Sequence, residues 1–278
     1  MSINLLYKYR RLDKNGHTRQ IVVDSTLYFS APSQFNEPFD CRIPIFYQGS
    51  KEQMREFLNE RLADHGFGPF DFTNVDEPAL AKAFACLVRS TDPELPISEI
   101  EERAQAAVRN KVWDDLSGYH DEQMIERRNQ QVRVYCLSER NDDILMWAHY
   151  ADKHGGVCLQ FQVVQNTLFS DARSVEYTKK YPVINRFAST KEEQFQACLL
   201  TKSCHWAHEK ERRIIRLDNN HHVKFPEHLL SGIILGCRMT EGDKQKVLKW
   251  LESKKQEVQL YQAIEKKREF GLDINLVT

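Results

Sequence analysis

Hydrophobic residues recur along this chain with two periods, every second residue in some stretches and every three to four in others. Val157, Leu159, Phe161 and Val163 point one way and Cys158, Gln160 and Gln162 the other, which is the spacing of a half-buried strand. Val132, Val134 and Cys136 alternate in the same manner with Arg133, Tyr135 and Leu137. Between these runs, Asn141 or Asp142 is suited to cap a short helix, since a side-chain oxygen can satisfy the open N–H groups of the first turn. In that helix Met146, His149 and Tyr150 share one face, and Trp147 and Ala151 lie on the adjacent one. Gly155 and Gly156 are expected to end it, where a left-handed residue is needed. The unit reads as strand, short helix, strand, with Trp147, His149 and Tyr150 at its junction.

The same patterns extend in both directions. Ile3 to Tyr9 and Thr26 to Ser30 read as strands, the second running into APSQFNEPFD, where Pro32 and Pro38 break regular structure. Phe35 and Phe39 are expected to be buried there, fixing Gln34, Asn36, Glu37 and Asp40. From residue 50 to 131 the period becomes helical. Ser50 with Gln53 forms a capping box before Met54, Phe57, Leu58 and Leu62, and further helices fit Pro78 to Arg89, Ser98 to Trp113 and Asp121 to Gln131. Farther on, Ser174 to Tyr177 reads as a strand. Thr190 and Glu193 open a helix with Phe195, Cys198, Leu199, Lys202 and Trp206 along one stripe. Glu211 to Arg216 and Gly232 to Gly236 read as strands, Thr240 to about Lys255 as a helix, and Val258 to Ala263 and Phe270 to Val277 as closing strands. The expected fold is one α+β domain over residues 1–278. Its mixed, mostly antiparallel sheet, continuous or split, carries a helical insertion at 50–131, either a lid or a layer covering the sheet.

Composition narrows the classes of function. With 41% hydrophobic and 28% charged residues the chain is of globular type, and its net charge of −1 gives no overall attraction to nucleic acid. Seven cysteines without a CxxC pair point to reduced thiols and a cytoplasmic setting. Neither a signal peptide nor a membrane-spanning run is apparent, so no membrane partner is expected.

The chemistry-bearing residues are few. Cys204, His205 and His208 lie close together but fit no zinc spacing, so no metal is expected. Walker, GxGxxG and GxSxG motifs are missing. Cys136, Cys158 and Cys237 are assigned to strands, where buried thiols are normally inert. Glu209 and Glu211 are the more suggestive pair. On an extended backbone both carboxylates project to one side, able to orient a ribose hydroxyl and stabilise a developing cation. Beside Arg212 and Arg213 they equally suit an ion-paired surface strand. Trp147, His149 and Tyr150 likewise admit a packing role as well as a chemical one.

Several blocks together resemble one family. LYKYR (Leu6 to Arg10), LYFSAPSQFNEPFD (Leu27 to Asp40), VYCLSERNDDILMWAHYADKHGGVCLQF (Val134 to Phe161), WAHEKERRII (Trp206 to Ile215), IILGCRM (Ile233 to Met239) and VQLYQA (Val258 to Ala263) resemble the bacterial domain of unknown function 2971 family, in that family's order. One departure is Glu37, where the family pattern more often has Asp. The resemblance implies one continuous domain and suggests a role in bacterial defence against phage. More distantly the arrangement looks like ADP-ribosyltransferases, which place an early basic residue, a mid-chain polar-aromatic element and a late Glu around NAD. On that likeness Tyr9, Arg10, Ser30, Asn36, Asp40 and Trp147 would bind the cofactor. Glu211 and Glu209, with Tyr150 and His149, would be catalytic.

The leading expectation is therefore a cytoplasmic defence or toxin-type enzyme using NAD. Two alternatives stand beside it. One is a nuclease or nucleic-acid-binding module using Arg10, Arg11, Lys179, Lys180, Arg212, Arg213 and Arg216 for phosphates. The other is an interaction protein whose blocks are structural.

Overall fold

The computed structural model describes residues 4–14, 16–116, 125, 129–218 and 220–277. Most of the helix expected over Asp121 to Gln131 lies outside these residues, as do Ile3 and Asn15. The chain divides into two compact units: Met1–Ile43, Gln123–Pro182 and Phe195–Thr278 form the first, and Pro44–Glu122 with Val183–Gln194 the second.

The first unit is built on an eight-stranded mixed sheet, in agreement with the α+β reading. Its order is Leu272–Leu276, Gln259–Glu265, Leu230–Leu235, Val157–Gln162, Leu5–Arg10, Arg133–Ser138, Glu211–Arg216 and Arg173–Ser174. Neighbours are antiparallel except Leu230–Leu235 and Gln259–Glu265, which are parallel. A parallel pair needs a crossover, and the helix Glu241–Glu252, capped by Thr240, supplies it. That helix ends before the expected Lys255.

Along the strand Val157–Gln162, which is buried on both faces as far as Phe161, successive side chains enter different clusters. Along Val157–Gln162, the side chains of Val157, Leu159 and Phe161 join Leu6, Tyr135, Ile214 and Ile233 in one core. Cys158 joins Tyr7, Tyr9, Trp147 and Ile234 in another, and Met146 and Ala151 of the central helix segment pack there too. Helices His17–Asp24 and Glu241–Glu252 serve the first core through Ile21, Val22 and Val247. The strand is thus fully rather than half buried as far as Phe161.

Local expectations are corrected at several points. The helix His17–Asp24 was not expected; its N-cap Gly16 offers no side-chain cap, so the usual start signal is missing. The short helix Ile144–Tyr150 is capped by Asp143, whose carboxylate accepts the N–H groups of Leu145 and Met146, rather than by Asn141 or Asp142. Left-handed backbone after it falls on Asp152, Lys153 and His154, not on Gly155 or Gly156. Gly156 is needed for close approach instead: a Cβ there would lie 2.3 Å from the Arg10 carbonyl oxygen. Phe39 is 64% exposed, against the expectation that it is buried. Ser174 to Tyr177 is two short strands, Arg173–Ser174 and Glu176–Thr178, in different sheets.

The second unit is helical. Lys51–Ala63, Glu77–Thr91 and Ile97–Arg109 pack Met54, Leu58, Leu62, Leu80, Phe84 and Val108 into one core with Tyr47 and Trp113. The Ser50–Gln53 capping box forms as the sequence indicates, and a two-residue parallel pair, Ile45–Phe46 with Ile184–Asn185, completes the unit. Among the described residues no helix is long and apolar enough to cross a membrane.

Candidate functional site

The loop APSQFNEPFD delivers one buried carboxylate. Pro32–Gln34 forms a single 3₁₀ turn, and the Ala31 N–H donates to Gln34 Oε1 at 3.0 Å. The Phe39 N–H donates to Glu37 Oε1 at 2.9 Å, so both polar side chains serve the loop's own backbone. The loop ends with Cys41 in the left-handed region, φ 56°, a conformation that costs a non-glycine residue about 1 kcal/mol or more. Asn129 holds that turn by donating to the Cys41 carbonyl at 3.1 Å. Asp40, at its apex, is 4% exposed.

Arg213, from the strand Glu211–Arg216, meets this carboxylate and is completely buried. Its Nη1 and Nη2 donate to Asp40 Oδ1 and Oδ2 at 2.9 and 2.6 Å. Its Nε and Nη2 donate to Glu211 Oε1 and Oε2 at 2.8 and 3.0 Å. A further bond from Nη1 reaches the Leu199 carbonyl at 2.9 Å. The planar fork thus binds two carboxylates bidentately, a geometry that lysine cannot reproduce.

Glu209 reaches the same cluster by a different backbone route from the one expected. It ends a 3₁₀ segment, Cys204–Glu209, and Lys210 is left-handed with φ 44°, so the strand begins only at Glu211. That turn, not strand alternation, brings both acids to Lys202, whose Nζ donates to Glu209 Oε2 at 2.6 Å and Glu211 Oε2 at 3.2 Å and lies 3.8 Å from Asp40. The helical stripe expected to run to Trp206 stops earlier: the helix ends at Leu200, and Thr201–Ser203 becomes a strand parallel to Glu176–Thr178. The Tyr150 hydroxyl donates to Glu209 Oε1 at 2.7 Å and is itself hydrogen-bonded by the Asn36 side chain. Tyr177 accepts the Glu211 N–H at 2.8 Å.

Three carboxylates therefore face two cations in a buried setting. Burial pushes the Glu211 carboxyl up, but Arg213 and Lys202 outweigh it and hold the group well below its ordinary 4.5. Burial lowers Lys202, and Glu211, Glu209 and Asp40 reverse that, raising it above its ordinary value. Burial and the neighbouring Glu209 both raise the Tyr150 phenol, which makes it a hydrogen-bond donor rather than a base. Burial likewise raises the Cys41 and Cys136 thiols, keeping them protonated and poorly nucleophilic.

Lys202 also lines a cavity of about 380 Å³. The parallel strands give Thr178, Thr201 and Ser203 to its wall, and Lys179, Lys180 and Glu37 add charge. Phe39 and Tyr181 stand there edge to face, 6.0 Å apart and both exposed.

Of the residues singled out from sequence, Asn36, Asp40, Tyr150, Glu209 and Glu211 come together. Tyr9 does not join them: its hydroxyl donates to the Arg140 carbonyl at 2.9 Å and its ring packs edge-on against Trp147. Trp147 is fully buried, with its indole N–H donating to the Asn141 carbonyl, so its faces are spent in the core. His149 is exposed and makes an edge contact with the Tyr150 ring. Arg10 and Ser30 line a separate small cleft, as alternation along Leu5–Arg10 sends Tyr9 and Arg10 to opposite faces. Among the basic residues considered for phosphates, Arg213 is buried, and Arg212 and Arg216 pair with Glu139 and Asp218. Lys202 and the central part of Arg213 were missed; the Lys-x₆-Glu-x-Glu-x-Arg spacing from Lys202 to Arg213 was the available signal.

These features define an α+β protein with a buried acid–base cluster at the wall of a cavity. Residues 146–214, which carry Tyr150, Lys202, Glu209, Glu211 and Arg213, match the model of a family described as a protein of unknown function, DUF2971. No curated protein and no solved structure matches the chain.

Proposed function

We propose that the protein is an enzyme that binds and acts on a nucleotide, with NAD as the first candidate, in the cavity beside the acid–base cluster. The observation that carries this reading is Lys202, an almost buried ammonium held charged by three carboxylates on a residue that lines the cavity. Such a cation is suited to a phosphate oxygen. Lys179 and Lys180 stand at the same cavity, and Phe39 and Tyr181 offer ring surface for a base or nicotinamide. The cavity volume falls in the range of about 300–1,000 Å³ usual for small-molecule sites.

The chemistry suggested by the likeness to ADP-ribosyltransferases breaks the glycosidic bond of NAD. Nicotinamide leaves with the bonding electron pair, and water or an acceptor captures the ribosyl cation. Because the carboxylates outnumber the cations, the cluster keeps a residual negative charge, which favours positive charge developing on a ribose beside it. In this reading Glu211 and Glu209 supply that field, Tyr150 and Asn36 hold Glu209, and Asp40 holds Arg213. Ring contacts fall to Phe39 and Tyr181 rather than Trp147.

The test is thermal unfolding with NAD, ADP-ribose, ATP and a short RNA, followed by a nicotinamide-release assay on the wild type and Glu211→Gln. A ligand at 100 times its Kd adds about 2.7 kcal/mol to the folded state, a readily visible rise. A rise with NAD or ADP-ribose, lost in Lys179→Ala/Lys180→Ala, and turnover abolished in a folded Glu211→Gln protein are expected. A rise with RNA alone transfers the cavity to nucleic acid, and no rise with any nucleotide refutes the proposal.

A further inference from the structure

A second, smaller cleft lies where the strands Leu5–Arg10 and Arg133–Ser138 meet the helix His17–Asp24, and two of its lining residues, Lys8 and Cys136, are within electrostatic reach of Glu211. It encloses about 60 Å³ and is lined by Lys8, Arg10, His17, Tyr28, Ser30 and Tyr135 among others, none of them acidic. The volume exceeds the share of a single water molecule, about 30 Å³.

Two of its cations are incompletely used. Lys8 donates from Nζ to the Cys136 carbonyl at 2.7 Å and lies over the Tyr135 ring at 4.9 Å, and among the described residues it has no carboxylate partner. An ammonium has three donors, so two remain. Among the described residues Arg10 has only long contacts, 3.4 Å to Thr18 Oγ1 and 3.6 Å to Asp13. Asp13 contacts two lining residues, Arg10 and the His17 ring at 3.1 Å, and also accepts from the His17 and Thr18 N–H groups.

The independent observation is Tyr135. Its side chain is 3% exposed, yet its buried hydroxyl has no hydrogen-bond partner among the described residues. Most buried hydroxyls are satisfied, so an orphan on a residue that lines a cationic cleft points to a missing acceptor. Burial lowers the Lys8 pKa, Glu211 and Glu209 offset only part of that, and an anion beside the ammonium would offset more.

We propose that this cleft binds a phosphate-sized oxyanion, held by the Lys8 ammonium, the Arg10 guanidinium and the hydroxyls of Tyr135 and Ser30. Two cations and two hydroxyl donors around one small space match the acceptor-only surface of a tetrahedral anion. The oxyanion is either free or the terminal group of a small phosphomonoester.

Calorimetric titration with inorganic phosphate and with glycerol phosphate, at constant ionic strength, tests the assignment on the wild type, Arg10→Gln, Tyr135→Phe and Lys179→Ala/Lys180→Ala. Phosphate is expected to bind the wild type and the double lysine variant equally. Tyr135→Phe should bind about tenfold more weakly, having lost one charge-assisted bond, and Arg10→Gln more weakly still. Without phosphate, Tyr135→Phe should be as stable as the wild type or more so, because it removes an unsatisfied group; this separates the loss of binding from misfolding. Equal affinities for the two ligands indicate a free ion, and tighter glycerol phosphate indicates a bound metabolite. No binding to the wild type, unchanged binding in both Arg10→Gln and Tyr135→Phe, or loss of binding in the double lysine variant overturns the proposal. Because the double lysine variant disables the other cavity, phosphate binding retained in it reads this cleft alone.

Discussion

Replacing Arg213 by Met isolates what the buried cluster contributes to stability. Methionine fills much of the arginine stem and supplies no donor. The substitution removes both bidentate arrangements at once, leaving Asp40 and Glu211 buried and reliant on Lys202, which lies 3.8 Å from the first and 3.2 Å from the second. Removing one partner of a buried ion pair costs about 3–5 kcal/mol, since the other charge stays desolvated. Here two carboxylates are stranded and one lysine compensates in part, so a loss of about 4 kcal/mol is expected. Against a typical total of about 5–15 kcal/mol this is a large fraction.

Urea unfolding at pH 7 and at pH 4.5 measures the loss and its origin together. In the wild type the Glu211 pKa is depressed below 4.5, so its stabilisation is present above pH 4.5 and declines as pH falls toward the lower folded-state value. Without Arg213, burial is opposed chiefly by Lys202, so the folded-state pKa rises. Ionised Glu211 then stabilises the fold less at pH 7, and less is lost on its protonation as pH falls. The gap between variant and wild type should therefore narrow between pH 7 and pH 4.5. A loss below about 1 kcal/mol at pH 7, the usual worth of an exposed pair, or a gap independent of pH, would refute the buried-cluster reasoning.

Two further substitutions test the scaffold. Gly156→Ala should cost about 3 kcal/mol by urea unfolding, because the new Cβ meets the Arg10 carbonyl at 2.3 Å and the Ala151 backbone at 3.0 Å; Gly242→Ala, in open space on a helix, should instead be neutral or stabilise by about 0.5 kcal/mol. Ser50→Ala removes the cap of the helix Lys51–Ala63 and should lower the stability of the second unit by about 1 kcal/mol, measured by hydrogen exchange of Met54 and its neighbours.

What could be read from the sequence was what depends on near neighbours. The alternation from Val157 to Gln162 and from Arg133 to Ser138 marked strands because successive side chains point to opposite faces, sending Val157, Leu159 and Phe161 to one cluster and Cys158 to another. Ser50 with Gln53, Thr190 with Glu193 and Thr240 with Asp243 marked helix starts because each bond spans three residues. The acid pair was visible for the same reason. Its partner across the cluster was not: Asp40 and Arg213 are 173 positions apart, and no local pattern couples them. Phe39 was misjudged because hydrophobicity argues for burial, whereas this ring stands beside Tyr181 at a cavity. Lys202 fitted a helical stripe only while the helix was taken to continue beyond Leu200. Once the chain extends there, the same side chain turns to the acids.

Lys202 and Arg213 share Glu211 and Asp40 but differ in what else they can meet. Arg213 is enclosed on every side, whereas Lys202 has the cavity on one of its sides. An anion entering that cavity would compete with Glu209 and Glu211 for the lysine's three donors. Binding there is consequently linked to the hydrogen bonds that tie the Asp40 loop to the sheet. A ligand favouring one arrangement of Lys202 must shift the stability of the whole cluster by its differential affinity, and the cluster must change the ligand's affinity by the same factor. Under the nucleotide reading, substitutions at Asp40, which is buried 3.8 Å from the Lys202 ammonium, should therefore alter nucleotide affinity through Lys202 as well as lowering stability through Arg213.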